Sequence, residues 1–137
     1  MRVIVDTNVV LDVLLNREPF VKAAVEVFCL VEESRIDAFL CATTITTIDY
    51  LLNHSLPTSK ARNALRKLIS LFEIATVNRS VIERALDSKI KDFEDAVLAE
   101  AGQMAGVDSI VTRNTKDFVR SNLKVFDPNE ILAQFNR

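Results

Sequence analysis

The apolar residues change their spacing repeatedly along the chain, and each change marks an element. Residues 2–5 are an apolar run, Asp6, Thr7 and Asn8 interrupt it, and Val9, Val10, Val13 and Leu14 follow at helical spacing. This predicts a strand, a polar junction and a helix. Glu18-Pro19 is expected to open a second helix, with Pro in its first turn and Phe20, Ala24, Val27 and Val31 on one face. Residues 38–41 read as the second strand, followed by a helix capped by Thr43 or Thr44 and reaching about Asn53. A helix starting at Thr58 or Ser59 turns Ala61, Ala64, Leu65, Leu68, Ile69 and Phe72 inward. Residues 74–77 form a third strand and residues 80–90 a further helix.

Residues 91–118 join the most informative pieces. Asp92 and Asp95 open a helix whose predicted apolar stripe is Phe93, Ala96, Val97, Ala101 and Met104, and Gly106 stops it. Asp108 turns the chain into residues 109–112, an apolar run of the kind buried on both faces of a sheet, and residues 113–117 make a polar loop at its carboxyl end. A strand at 123–125 precedes Asp127-Pro128-Asn129-Glu130, which combines an N-cap, Pro at the first helical position and a capping-box Glu. Strand alternates with helix throughout. The expected architecture is a three-layer α/β/α fold with a mainly parallel central sheet and right-handed crossovers.

Composition narrows the class. A chain of 137 residues with 49% apolar content, two Gly and three Pro fits one helix-rich domain over residues 1–137. Cys29 and Cys41 lack a CxxC partner and lie in apolar runs, so they read as core residues in a reducing compartment rather than as zinc ligands. No apolar run is long enough for a signal peptide or a membrane span, and a cytoplasmic location is expected. The net charge of −2 argues against gripping nucleic acid by bulk electrostatics. Lys91, Arg113 and Lys116, close to acidic residues, are candidates for local phosphate contacts and equally compatible with an ordinary mixed-charge surface. His54 is the single histidine, which excludes a nuclease built on a histidine pair, and its place near a helix end gives it a structural reading.

Asp6, Asp95 and Asp117 each follow or face the carboxyl end of a predicted strand, where open α/β sheets bind ligands, and Asp92 lies one turn before Asp95. Asp6 alone would be an N-cap. Three or four carboxylates that meet repel one another unless a cation sits between them. Oxygen-only ligands with a carboxylate majority point to Mg²⁺ or Mn²⁺, ions suited to phosphodiester hydrolysis. A nucleotide-binding domain fares badly, because no Gly-rich phosphate loop is present.

Asp6-Thr7-Asn8, the Asp95-Ala96 helix with its small residues, and the run Thr-Arg-Asn-Thr-Lys-Asp-Phe at 112–118 resemble the motifs of the PIN-domain family over essentially the whole chain. The resemblance implies a Rossmann-like fold and a divalent-metal-dependent endoribonuclease, with Mg²⁺ or Mn²⁺ as cofactor and RNA as substrate. Many small members are toxins of toxin–antitoxin pairs, the VapC type, usually homodimeric and silenced by a small antitoxin. Carried over to this chain, Asp6 matches the first acid and Asp95 the third-motif acid. Asn114 and Asp117 match fourth-motif positions that supply a ligand or position the metal's water. Asp92 is an accessory acid or a helix cap, Asp117 or Asp92 the general base, and Thr7, Asn8, Thr47 and Thr112 the supporting hydrogen-bonding groups.

The second motif departs from the family. Thr47 stands where a Glu is usual, and Asp49 lies about 200° further round the helix. Two readings follow: a ribonuclease with a weakened metal site, or a non-catalytic PIN-like module that binds RNA or protein.

Overall fold

The computed structural model describes residues 1–137. In chain order the elements are β1 (Arg2–Val5), α1 (Thr7–Leu14), α2 (Val21–Glu32), β2 (Asp37–Cys41), α3 (Ala42–Leu52), α4 (Thr58–Leu71), β3 (Glu73–Ala75), α5 (Arg79–Leu86), α6 (Phe93–Met104), β4 (Ser109–Val111), a short 3-10 helix (Thr115–Phe118), β5 (Lys124–Phe126) and α7 (Pro128–Gln134). All neighbouring strands are parallel, in the order β3-β2-β1-β4-β5. From β1 the chain builds outward through β2 to β3, then returns to the other side of β1 for β4 and β5. The order therefore reverses between β1 and β4, the switch point outside which such sheets bind ligands.

β1 is central because its side chains serve both faces with the two-residue period of a strand. Val3 and Val5 enter one core with Val9, Val27, Leu30, Ile48, Leu68 and Ile131, which places α1 to α4 and α7 on that face. Ile4 points the other way, into a core with Val81, Ala96, Val97, Ile110 and Phe118, under α5 and α6. The three-layer α/β/α arrangement follows. At the far end, the α7 capping box forms as its sequence dictates: Glu130 N–H donates to Asp127 at 2.8 Å and Asp127 N–H to Glu130 at 2.9 Å. No helix is long and apolar enough to cross a membrane.

Several local expectations are corrected. α2 begins at Val21, past Pro19, because the chain first turns on Arg17, whose carbonyl accepts the N–H groups of Phe20 and Val21 at 3.0 and 2.8 Å. Phe20 is thereby left exposed. Neither Thr43 nor Thr44 caps α3: the helix starts at Ala42 directly from β2, with Cys41 at the cap position. Ile69 faces solvent on α4. α5 stops at Leu86, and residues 87–90 form a loop in which Ser88 accepts the Ile90 N–H at 3.1 Å.

The apolar face of α6 is also displaced from the expected stripe. Phe93 and Met104 are exposed, while Leu98, Ala99 and Gly102 are buried with Ala96, Val97 and Ala101. The helix is clasped between the sheet and α5, so small residues face both. At Gly102 an added Cβ would lie 2.9 Å from Ile4 Cγ2 and 3.1 Å from Val107 Cγ2. That close approach seats the carboxyl-terminal end of α6 directly against β1.

Candidate metal centre

The site is built outward from Asp6. β1 ends and α1 begins at this residue, whose N–H donates to Val111 O at 2.9 Å, tying the junction to β4. Its side chain is buried and heavily engaged. Oδ1 accepts the Thr7 N–H at 2.8 Å, and Oδ2 accepts the Thr112 hydroxyl at 2.8 Å and the Asn8 amide at 3.3 Å. Thr112 Oγ1 in turn accepts the Asn114 N–H at 3.0 Å, Asn8 Oδ1 accepts the Arg113 N–H at 3.2 Å, and the Thr7 hydroxyl donates to Thr44 at 3.1 Å. Thr7, Asn8 and Thr112 thus lock the carboxylate across the switch point. Burial raises the Asp6 pKa, the hydrogen bonds from Thr112 and Thr7 oppose it, and the charges of Glu94 and Asp117 push it further up.

The first turn of α6 brings the next acids. Asp92 is the N-cap, its Oδ1 accepting the Asp95 N–H at 3.0 Å, so the capping role holds and its charge still bears on Asp95. Asp95 is half-buried. Its pKa is pushed up to about 7, first by burial and then by the negative charges of Asp6, Asp92, Asp117 and Glu94. Asp117 sits exposed on the 3-10 helix, its N–H donating to Asn114 O at 3.0 Å, and the fully buried Phe118 beside it anchors that turn. Asn114 leaves its side-chain amide at the surface. Asp6, Asp92 and Asp117 therefore all lie within electrostatic reach of Asp95, although Asp6 is far from the others in sequence.

Sequence reasoning passed over Glu94. It stands next to Asp95 in the first turn, where an acid is ordinarily explained by the helix dipole. Its carboxylate accepts the Thr47 hydroxyl at 3.3 Å, and its charge acts on both Asp6 and Asp95. The overlooked signal was the conjunction of a missing acid on one helix with adjacent acids on another. Asp49 turns elsewhere, with Oδ1 4.0 Å from Arg62 Nε on α4.

Among the basic residues, Arg113, one of the phosphate candidates, is engaged by a buried carboxylate. Its Nε and Nη2 donate to Asp12 at 2.6 and 3.2 Å, and its guanidinium lies 3.9 Å from the Phe20 ring centroid. Asp12 is fully buried and also accepts from Arg17 at 2.9 Å. Lys91 and Lys116 are exposed and pair with no carboxylate. His54 is turned onto its own helix, Nδ1 2.9 Å from Tyr50 O, with its ring edge-on to Tyr50.

Carboxylate oxygens with only hydroxyl and amide support are the donor set of a hard divalent cation, Mg²⁺ or Mn²⁺, rather than zinc. No three acidic, His or Cys side chains close into a ready-made cage. That openness suits an ion that keeps several waters and touches one or two carboxylates. A concavity of about 890 Å³ lies elsewhere, between the start of α2 and α7, and none of the clustered acids lines it.

A parallel α/β/α sandwich with an acidic cluster at its switch point defines a class, and comparison with known proteins identifies it. The PIN domain family model matches residues 2–116, and the chain belongs to this family. It is similar to Ribonuclease VapC1 of Aquifex aeolicus (strain VF5), at 24% identity over 140 residues that cover 98% of this chain and 96% of the relative. Two solved structures share the fold. One is VapBC2 from Rickettsia felis bound to a DNA fragment from its promoter, with a TM-score of 0.73 and 15% identity over 93% of this chain and 98% of that one. The other is a toxin–antitoxin complex from Klebsiella pneumoniae, with a TM-score of 0.70 and 23% identity over 92% and 97% of the two chains.

Proposed function

We propose that this chain is a divalent-metal-dependent endoribonuclease and the toxin of a toxin–antitoxin pair, acting on cytoplasmic RNA. The observation that carries the reading is the buried Asp6 carboxylate, locked at the switch point by Thr7, Asn8 and Thr112, with the charges of Glu94 and Asp117 acting on it and on Asp95. Such mutual repulsion is relieved by a cation. When bound, Mg²⁺ or Mn²⁺ would polarise a phosphoryl oxygen and make water a better nucleophile. Asp6, rigid through Thr7, Asn8 and Thr112, and Asp95 would hold it, with Asn114 at the edge.

Asp117 is exposed and free of ion pairs, so it is available to take the proton of the attacking water. Lys91 and Lys116 flank the acids in sequence and can hold the phosphate that would otherwise be repelled. Similarity to a protein named as a VapC ribonuclease and to toxin–antitoxin complexes supports both the RNA substrate and a small antitoxin partner. We propose a homodimer from the family resemblance alone, open to sedimentation analysis.

The test is cleavage of RNA with Mg²⁺ or Mn²⁺ by the purified chain, alongside calorimetric Mn²⁺ titration. Cleavage that disappears with chelator and in Asp95→Asn is the expected result. A parent protein that neither binds Mn²⁺ nor cuts RNA would refute the reading in favour of a non-catalytic RNA- or protein-binding module, the alternative that the Thr47 replacement favours.

A further inference from the structure

Six of the chain's 19 acidic side chains are held by an arginine of the protein itself. Asp12, Asp49, Glu26, Glu33, Glu83 and Glu100 each have an arginine within 4.0 Å. Asp6, Glu94, Asp95 and Asp117 have none, so the charge at the switch point is left uncompensated by the protein itself. Glu94 differs from the other three because its single protein partner is Thr47, the residue standing where the family's second acid is usual.

We propose that Glu94 supplies the acid missing from the second-motif position, delivered from α6 instead of α3, and that Thr47 is its positioning residue. The proposal rests on the metal-dependent reading above. Thr47 is short and carries a donor, whereas a second Glu there would add a like charge opposite Glu94. The longer Glu94 side chain, starting from the helix across the site, ends at the Thr47 hydroxyl. One oxygen, Oε1, accepts the Thr47 hydroxyl, while Oε2 has no partner and remains able to face an ion or its water. α6 packs on β1 and β2, so its first turn and the start of α3 lie over neighbouring strand ends. Acid and hydroxyl have in effect exchanged helices, and the site keeps its count of acids.

The experiment measures Mn²⁺ affinity by calorimetry, and free Mn²⁺ by its paramagnetic resonance signal, on the parent, Asp6→Asn, Glu94→Gln, Thr47→Val and the exchange variant Thr47→Glu/Glu94→Thr. Glu94 is exposed, so Glu94→Gln should fold, and thermal melting of the metal-free proteins checks it. The expected result is an affinity lowered about ten-fold or more in Glu94→Gln, less in Thr47→Val, and largely restored in the exchange variant. Parent-like affinity in Glu94→Gln, while Asp6→Asn has lost binding, overturns the role of Glu94 and leaves the metal site standing. No binding by any of the proteins, the parent included, overturns the metal-dependent reading and this inference with it.

Discussion

Replacing Asp95 by Asn should stabilise the metal-free protein while abolishing its capacity to hold a metal. In the unfolded chain this carboxyl ionises near 3.8, and in the folded protein near 7, because burial and four neighbouring acids oppose its charge. Between those values the folded state keeps a proton that the unfolded state has released. The stability contributed by Asp95 is therefore complete below about pH 3.8 and lost as pH rises through about 7. At about 1.4 kcal/mol per pH unit the difference would amount to roughly 4 kcal/mol. Asp95 is only half-buried, and solvent screening reduces this to about 1–2 kcal/mol. Loss of a carboxylate from the first turn of α6 offsets about 0.5 kcal/mol of it.

Denaturant unfolding in the presence of chelator should then find Asp95→Asn more stable than the parent by about 1 kcal/mol at pH 8, the gap closing toward pH 4. Saturating Mn²⁺ should reverse the order, because only the parent gains from binding. A variant that is less stable than the parent at pH 8, or a gap that widens on acidification, would show that Asp95 is not held against repulsion.

Three further outcomes are expected. Asp12→Asn leaves Arg17 and Arg113 without their buried carboxylate and should cost about 3–5 kcal/mol in denaturant unfolding, with near-ultraviolet dichroism reporting any loosening around Phe20. Thr112→Val removes the 2.8 Å hydrogen bond to Asp6, so stability should fall by about 1–3 kcal/mol and the Asp6 pKa, followed by carboxyl NMR, should rise further. Gly102→Ala gains about 1 kcal/mol of helix propensity but forces a Cβ to within 2.9 Å of Ile4, an overpacking of about 1–3 kcal/mol, so calorimetry should show a lower melting temperature.

Patterns that involve one element at a time were legible in the sequence. β1, the Asp6 junction and the α7 capping box depend on residues within one turn of each other, and the alternation of strand and helix was enough to expect a parallel sheet. What escaped depended on the faces that tertiary packing chooses. Phe93 and Met104 fit a helical stripe, yet α6 is enclosed by the sheet and α5, so the residues small enough to fit between them are buried instead. Phe20 looked like core until Arg113 was found stacked on it. The acids at 6, 95 and 117 stood out by their positions after strands or at a helix start. Glu94 did not, because its significance lies in Thr47, which is 47 residues away in sequence and adjacent only once both helices have packed on the sheet.

The hydrogen bond from Thr112 to Asp6 spans 106 positions, and the two residues directly follow β4 and β1, which pair with each other. Every other member of the acidic cluster lies at or beyond Asp92, so Asp6 meets them only after the intervening chain has folded and β4 has paired with β1. The cluster is therefore a product of the closed sheet, and a chain that has not closed it carries its acids apart. The same dependence means that any product ending ahead of Asp92 retains Asp6 and nothing with which to use it.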